Sequence, residues 1–127
     1  MFVVNDDMSI YCTRGDTGSF YVQAAFQGDD NAYIFRKGDV VRFNVFGRKD
    51  CENVVLQKSV TVSAETERVE ISLEGDDTRF GDIISKPTDY WYEVEINPDT
   101  KPQTIIGYDE NGAKIFRLFP EGNGVAV

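Results

Sequence analysis

A chain of 127 residues fits one domain, and 41% hydrophobic residues, with 9 Phe and 6 Tyr among them, supply one bulky core. Its 22 Asp and Glu against 13 Lys and Arg leave a net charge of -9, a balance that repels phosphate backbones and anionic lipid and so argues against nucleic acid and membrane as partners. Histidine is absent, which removes the commonest general base, the Ser-His-Asp and Cys-His arrangements, and the commonest transition-metal ligand.

Met1–Asp7 has no basic leader and too short an apolar run for a secretion signal, so it is expected as an extension ahead of a domain spanning 8–120. From there the pattern has a period of two, which means strands. A first strand is expected near Met8–Thr13, followed by the turn Arg14-Gly15-Asp16-Thr17-Gly18. Ser19–Phe26 places Phe20, Val22, Ala24 and Phe26 on one face and Tyr21 on the other. Turns at Gly28–Asn31 and Lys37-Gly38-Asp39 bracket a short segment around Tyr33–Phe35. Asp39–Phe46 turns Val41, Phe43 and Val45 inward, Asn53–Val62 groups Leu56, Val60 and Val62, and Arg68–Leu73 alternates without a fault.

The polar stretch Gly75–Pro87 reads as a crossover between two sheets, with Asp76–Phe80 as a single helical turn capped by Asp76. Asp89–Asn97 carries Tyr90, Tyr92, Val94 and Ile96 on one face and Trp91, Glu93 and Glu95 on the other. Gln103–Tyr108 and Ala113–Phe119 complete about eight strands, joined by a hairpin at Asn111-Gly112, a pair that tolerates positive φ. Residues 121–127 form a tail. Short alternating strands at this spacing imply an all-β sandwich of 7–8 antiparallel strands, with a small closed barrel as the alternative.

No segment assembles a reactive centre. Cys12 and Cys51 match no zinc spacing and read as two free thiols. The pairs Asp6/Asp7, Asp29/Asp30 and Asp76/Asp77 lack the alternating ligands, glycine and closing glutamate of a calcium loop, and no glycine run makes a phosphate cradle. The expectation is a non-enzyme without cofactor, metal or small-molecule ligand. Arg14-Gly15-Asp16 spells an integrin-recognition tripeptide, but the glycine and the aspartate are also what a tight turn needs, and Gly38-Asp39 repeats that chemistry. Trp91 makes its strand apolar on both sides, so an exposed Trp91, with Tyr21 or Phe46 beside it, is a candidate interface anchor or a platform for a sugar ring. The apolar tip Val125-Ala126-Val127 and the segment Phe2-Val3-Val4 are further candidates for docking on a neighbouring subunit.

The segments "TRGDTGSF", "FRKGDVVRFNV", "ISLEGDDT", "YWYEVEI" and "PQTIIGYDENGAKIFRLFPEG" follow one another across Ile10–Pro120. In this order they resemble the N-terminal Ig-like domain of baseplate upper proteins and related tail proteins from phages and prophages of Gram-positive bacteria. The resemblance implies an Ig-like sandwich and a virion structural role, made in the host cytoplasm. It also implies attachment to other virion proteins of the tail or baseplate, or of neck or head, in several symmetric copies. Arg14, Asp16, Asp39, Asp77, Thr78, Tyr92 and Gly107 match the family's positions as turn and core residues, and the resemblance supplies no catalytic residue.

Overall fold

The period of two becomes nine strands in a computed structural model, which describes residues 1–25, 33–48, 53–109 and 112–121. They are β1 (Phe2–Val4), β2 (Ile10–Thr13), β3 (Gly18–Val22), β4 (Val40–Phe46), β5 (Val54–Thr61), β6 (Val69–Leu73), β7 (Thr88–Ile96), β8 (Gln103–Ile106) and β9 (Lys114–Phe119). Seven of them form one sheet in the order β1-β2-β9-β7-β4-β5, with β8 also on β7, and β3 and β6 form the second sheet.

This is the two-sheet order of an Ig-like sandwich. With β2, β3, β4, β5, β6, β7 and β9 in the places of strands A, B, C, C′, E, F and G, the strands C, F and G share the large sheet, and B and E make the small one. Among the described residues no strand stands in the D position, and β1 and β5 end the large sheet without closing it into a barrel. The segment Phe2–Val4, expected as part of an extension, is strand β1.

The inward residues of the two sheets meet as the alternation requires. Phe20, Val22, Phe43, Val45, Ile71, Tyr92 and Val94 are all buried. Phe20 of the small sheet meets Phe43 of the large one edge-on at 5.3 Å, and Phe43 reaches Phe116 at 6.2 Å. The crossover after β6 adds Phe80, which packs against Tyr90 at 4.8 Å and Phe116 at 5.7 Å. Lys58 points inward from the exposed edge strand β5 and pairs with Asp77 at 2.8 Å; a charge so placed discourages edge-to-edge pairing with stray strands.

Three expectations need correction. The strands are not all antiparallel, because β2 pairs with β9 in parallel, from Ile10 opposite Phe116 to Thr13 opposite Phe119. The chain leaves β2 for the small sheet without reversing beside β9, so the last strand, antiparallel to β7, must run alongside β2 in the same direction. Nor do Gln103–Tyr108 and Ala113–Phe119 form a hairpin ladder. At nine residues, β7 is long enough to pair along one edge with both: Val94–Ile96 with β8 and Thr88–Tyr92 with β9. The strands β8 and β9 are therefore collinear, and between them Asp109 forms a bridge with Gly112. Gly112 adopts φ +95°, while Asn111 lies outside the described residues. Finally, 74–79 is two successive turns rather than a helical turn, with Asp77 N–H on the Glu74 carbonyl and Arg79 N–H on that of Asp76. Asp77, not Asp76, caps it: its carboxylate accepts the Glu74 N–H at 2.8 Å.

Candidate interaction surface

Residues opposite one another on neighbouring strands share a face, so the registers of β7, β4, β5 and β9 lay out the outer surface of the large sheet in rows. Trp91 stands between Phe46 and Ile115, and Phe46 stands next to Val54. The row is apolar from end to end. Phe46 is buried, Trp91 and Ile115 are half-buried, and Val54 is exposed.

Polar rows lie on both sides of it. On one side Arg117 grips Asp89 through Nε at 2.6 Å and Nη2 at 3.3 Å, and its Nη1 reaches the Tyr11 hydroxyl at 3.2 Å. On the other side Gln57 donates to Asn44 Oδ1 at 2.9 Å, and Asn44 donates to Glu95 Oε1 at 3.1 Å. Glu93, in register with Asn44, has its pKa raised by burial and by the charge of Glu95. Beyond it Arg42 holds Asp99 with two hydrogen bonds and donates to Ser59. The surface is an apolar stripe between hydrogen-bonded polar margins, the arrangement of a contact patch with a dry centre and a wet rim.

Among the candidate anchors, Trp91 and Phe46 come together and Tyr21 does not join them. Tyr21 lies on the outer side of the small sheet, 56% exposed, with the Arg68 guanidinium 4.5 Å above its ring. Alternation identifies a residue's face within a strand, but two faces belonging to different sheets look alike in sequence. Val125 and Val127 fall outside the described residues, as do Cys51, Asp29 and Asp30.

The Arg14-Gly15-Asp16 tripeptide is a turn built into the fold. Asp16 N–H reaches the Thr13 carbonyl at 3.0 Å, and Gly15 adopts φ +89°, the geometry that reserves this place for glycine. Thr78, fully buried, accepts the Gly15 N–H at 2.9 Å, and its hydroxyl faces the carbonyls of Asp16 at 2.9 Å and Gly75 at 3.1 Å. The Arg14 side chain lies against the crossover, donating to the carbonyls of Arg79 and Gly81 with Glu121 alongside. The Asp16 carboxylate takes the terminal ammonium of Met1. An adhesive loop presents its Arg and Asp freely; here both are engaged.

Gly38 and Asp39 repeat the device. Gly38 adopts φ +94°, and Asp39 N–H bonds the Arg36 carbonyl at 3.0 Å. Burial works against the charge on Asp39, yet hydrogen bonds from the Arg36 N–H, the Asn97 amide and the Tyr33 hydroxyl outweigh it and hold the carboxyl below its usual range. Cys12 is a buried free thiol whose pKa burial pushes up to about 11, the opposite of an activated nucleophile. Among the described residues no group of three or more Cys, Asp or Glu is set to hold a metal ion. No family model, curated protein or solved structure matches the chain.

Proposed function

We propose that this chain is a protein–protein assembly module of a phage virion, placed in the tail or baseplate, or in the neck or head, and present in several symmetric copies. The observation that carries the assembly part is the unbroken apolar row Ile115–Trp91–Phe46–Val54 across the outer face of the large sheet, between two hydrogen-bonded polar rows. The virion part rests on the ordered sequence segments, and the Ig-like strand order is the architecture that the resemblance requires. A sugar platform is the second reading, favoured by the Asn44, Gln57, Glu93 and Glu95 groups beside Trp91. It needs an open ring face, whereas Trp91 is half-buried within its row.

Light scattering on the purified chain tests the assembly reading. The wild type should form a multimer that Val54→Glu and Trp91→Glu dissociate, with Val54→Glu, at an exposed position, still unfolding in one cooperative transition. A wild type that stays monomeric at every concentration sinks it. Mass spectrometry of particles purified from the source culture tests the virion part, and a particle without this chain refutes that part alone.

A further inference from the structure

We infer that a second site, separate from the Trp91 row, binds an extended acidic peptide segment of a partner protein, which adds as a strand to the free edge of β8. The strand pairs with β7 on one side only. Its collinear neighbour β9 is covered by β2, but the chain reverses at the Asn5–Ser9 turn, where Asn5 N–H bonds the Ser9 carbonyl at 2.8 Å. Strand β2 therefore starts beside Phe116 and never reaches β8. Among the described residues no strand occupies the edge beyond Gln103–Ile106. Exposed edges of this kind are what an added peptide strand completes.

Beside that edge lies a cavity of about 560 Å³, a volume within the range of binding sites. Gln103, Thr104 and Ile105 all line it. Successive side chains leave a strand on opposite faces, so three consecutive lining residues place the cavity along the edge rather than over one face. The facing wall is the continuation of β3 at Gln23–Ala25, and Ile96 and Tyr33 add apolar surface.

The charge of the lining specifies the occupant. Several cations elsewhere meet carboxylates, Arg42 with Asp99, Lys58 with Asp77, Lys114 with Asp109 and Arg117 with Asp89, while Lys37, Arg68 and Lys86 have no ion-pair partner among the described residues and line no part of this cavity. Arg36 and Lys101 both line the cavity, and neither has an ion-pair partner among the described residues. Asp39 is close enough to feel Arg36, yet its carboxylate is taken by the Arg36 N–H, Asn97 and Tyr33. In a chain with 22 acidic against 13 basic residues, the charged residues lining this cleft among those described, Arg36 and Lys101, are both cations and no carboxylate lines it, a charge complementary to acidic side chains from outside.

Backbone amide NMR with the blocked peptides Thr-Glu-Val-Glu-Thr and Thr-Lys-Val-Lys-Thr tests this. The acidic peptide should shift the amides of Gln103–Ile106 and slow their hydrogen exchange, and the basic peptide should bind about tenfold more weakly or worse. Reversing both charges, Arg36→Glu with Lys101→Glu, should reduce acidic-peptide binding at least about tenfold while the amide spectrum stays that of the folded protein. Trp91→Ala should leave peptide binding intact. Equal binding of both peptides, absence of shifts at Gln103–Ile106 up to millimolar peptide, or concentration-dependent shifts there without peptide, as from a second copy, would each overturn the inference. None of these outcomes bears on the Trp91 row, which is read by solution mass.

Discussion

Replacing Thr78 by valine keeps the branched shape of the side chain and removes one hydroxyl from a fully buried place. That hydroxyl accepts the Gly15 N–H at 2.9 Å and donates toward the carbonyls of Asp16 and Gly75. The variant strands one backbone donor and at least one acceptor where water has no access. Each such loss costs about 1–3 kcal/mol, so Thr78→Val should lower the unfolding free energy by about 2–4 kcal/mol. Thr78→Ser keeps the hydroxyl and loses one methyl, worth about 1 kcal/mol. Urea melts of the three proteins, read by circular dichroism, separate the two effects, and hydrogen exchange at the Gly15 amide should accelerate in Thr78→Val alone. A Thr78→Val protein within about 0.5 kcal/mol of wild type would refute the view that this hydroxyl ties the Arg14-Gly15-Asp16 turn to the crossover. So would a serine variant as unstable as the valine one.

Phe43, fully buried and in ring contact with Phe20, Tyr92 and Phe116, should cost about 3–5 kcal/mol when truncated to alanine, measured in denaturant. Gly38→Ala meets no atom within 4 Å, so only its φ of +94° is strained, and melts should show a loss of about 1–2 kcal/mol. Gly15→Ala should cost more than Gly38→Ala in the same assay, because its methyl also lands 2.6 Å from Glu121 and 2.8 Å from Arg79 and must part that ion pair. Asp39→Ala should cost about 2 kcal/mol at neutral pH. The folded-state pKa of Asp39 is lowered from 3.8, so its stabilisation is complete above that value and is lost as pH falls through the folded value. The difference between wild type and Asp39→Ala should accordingly shrink toward zero in acid, as read by melts across the acid range.

Alternation places β2 to β9 to within a few residues because one face of each had to be apolar, as in Val69, Ile71 and Leu73 against Glu70 and Ser72, whereas Phe2–Val4, too short to alternate, gives no such signal for β1. Pairing partners were harder to read. Nothing in Ile10–Thr13 distinguishes a strand bound for β9 in parallel from one bound for β3 in antiparallel, since both arrangements bury Ile10 and Cys12 alike. Asn111 of the Asn111-Gly112 signal lies outside the described residues, and a turn signal does not say whether the strands on either side of it pair with each other. Here the length of β7 decided.

The same limit explains the candidate surfaces. Trp91 and Phe46 were singled out for their outward phase, and their adjacency follows from the β4–β7 register, which sequence does not contain. Tyr21 had the same phase on another sheet. Arg36 and Lys101 sit in turns, where lone cations are ordinary and carry no signal in the sequence; only the fold brings them to one cleft.

Trp91 is the single tryptophan of the chain, so its fluorescence reports directly on the row proposed as the contact. A dilution series following both emission maximum and acrylamide quenching, run beside light scattering, is the most direct test. Burial of Trp91 between copies predicts that emission moves to the red and quenching increases as the multimer dissociates. Dissociation with both signals unchanged would contradict the account and move the contact to another face of the sandwich.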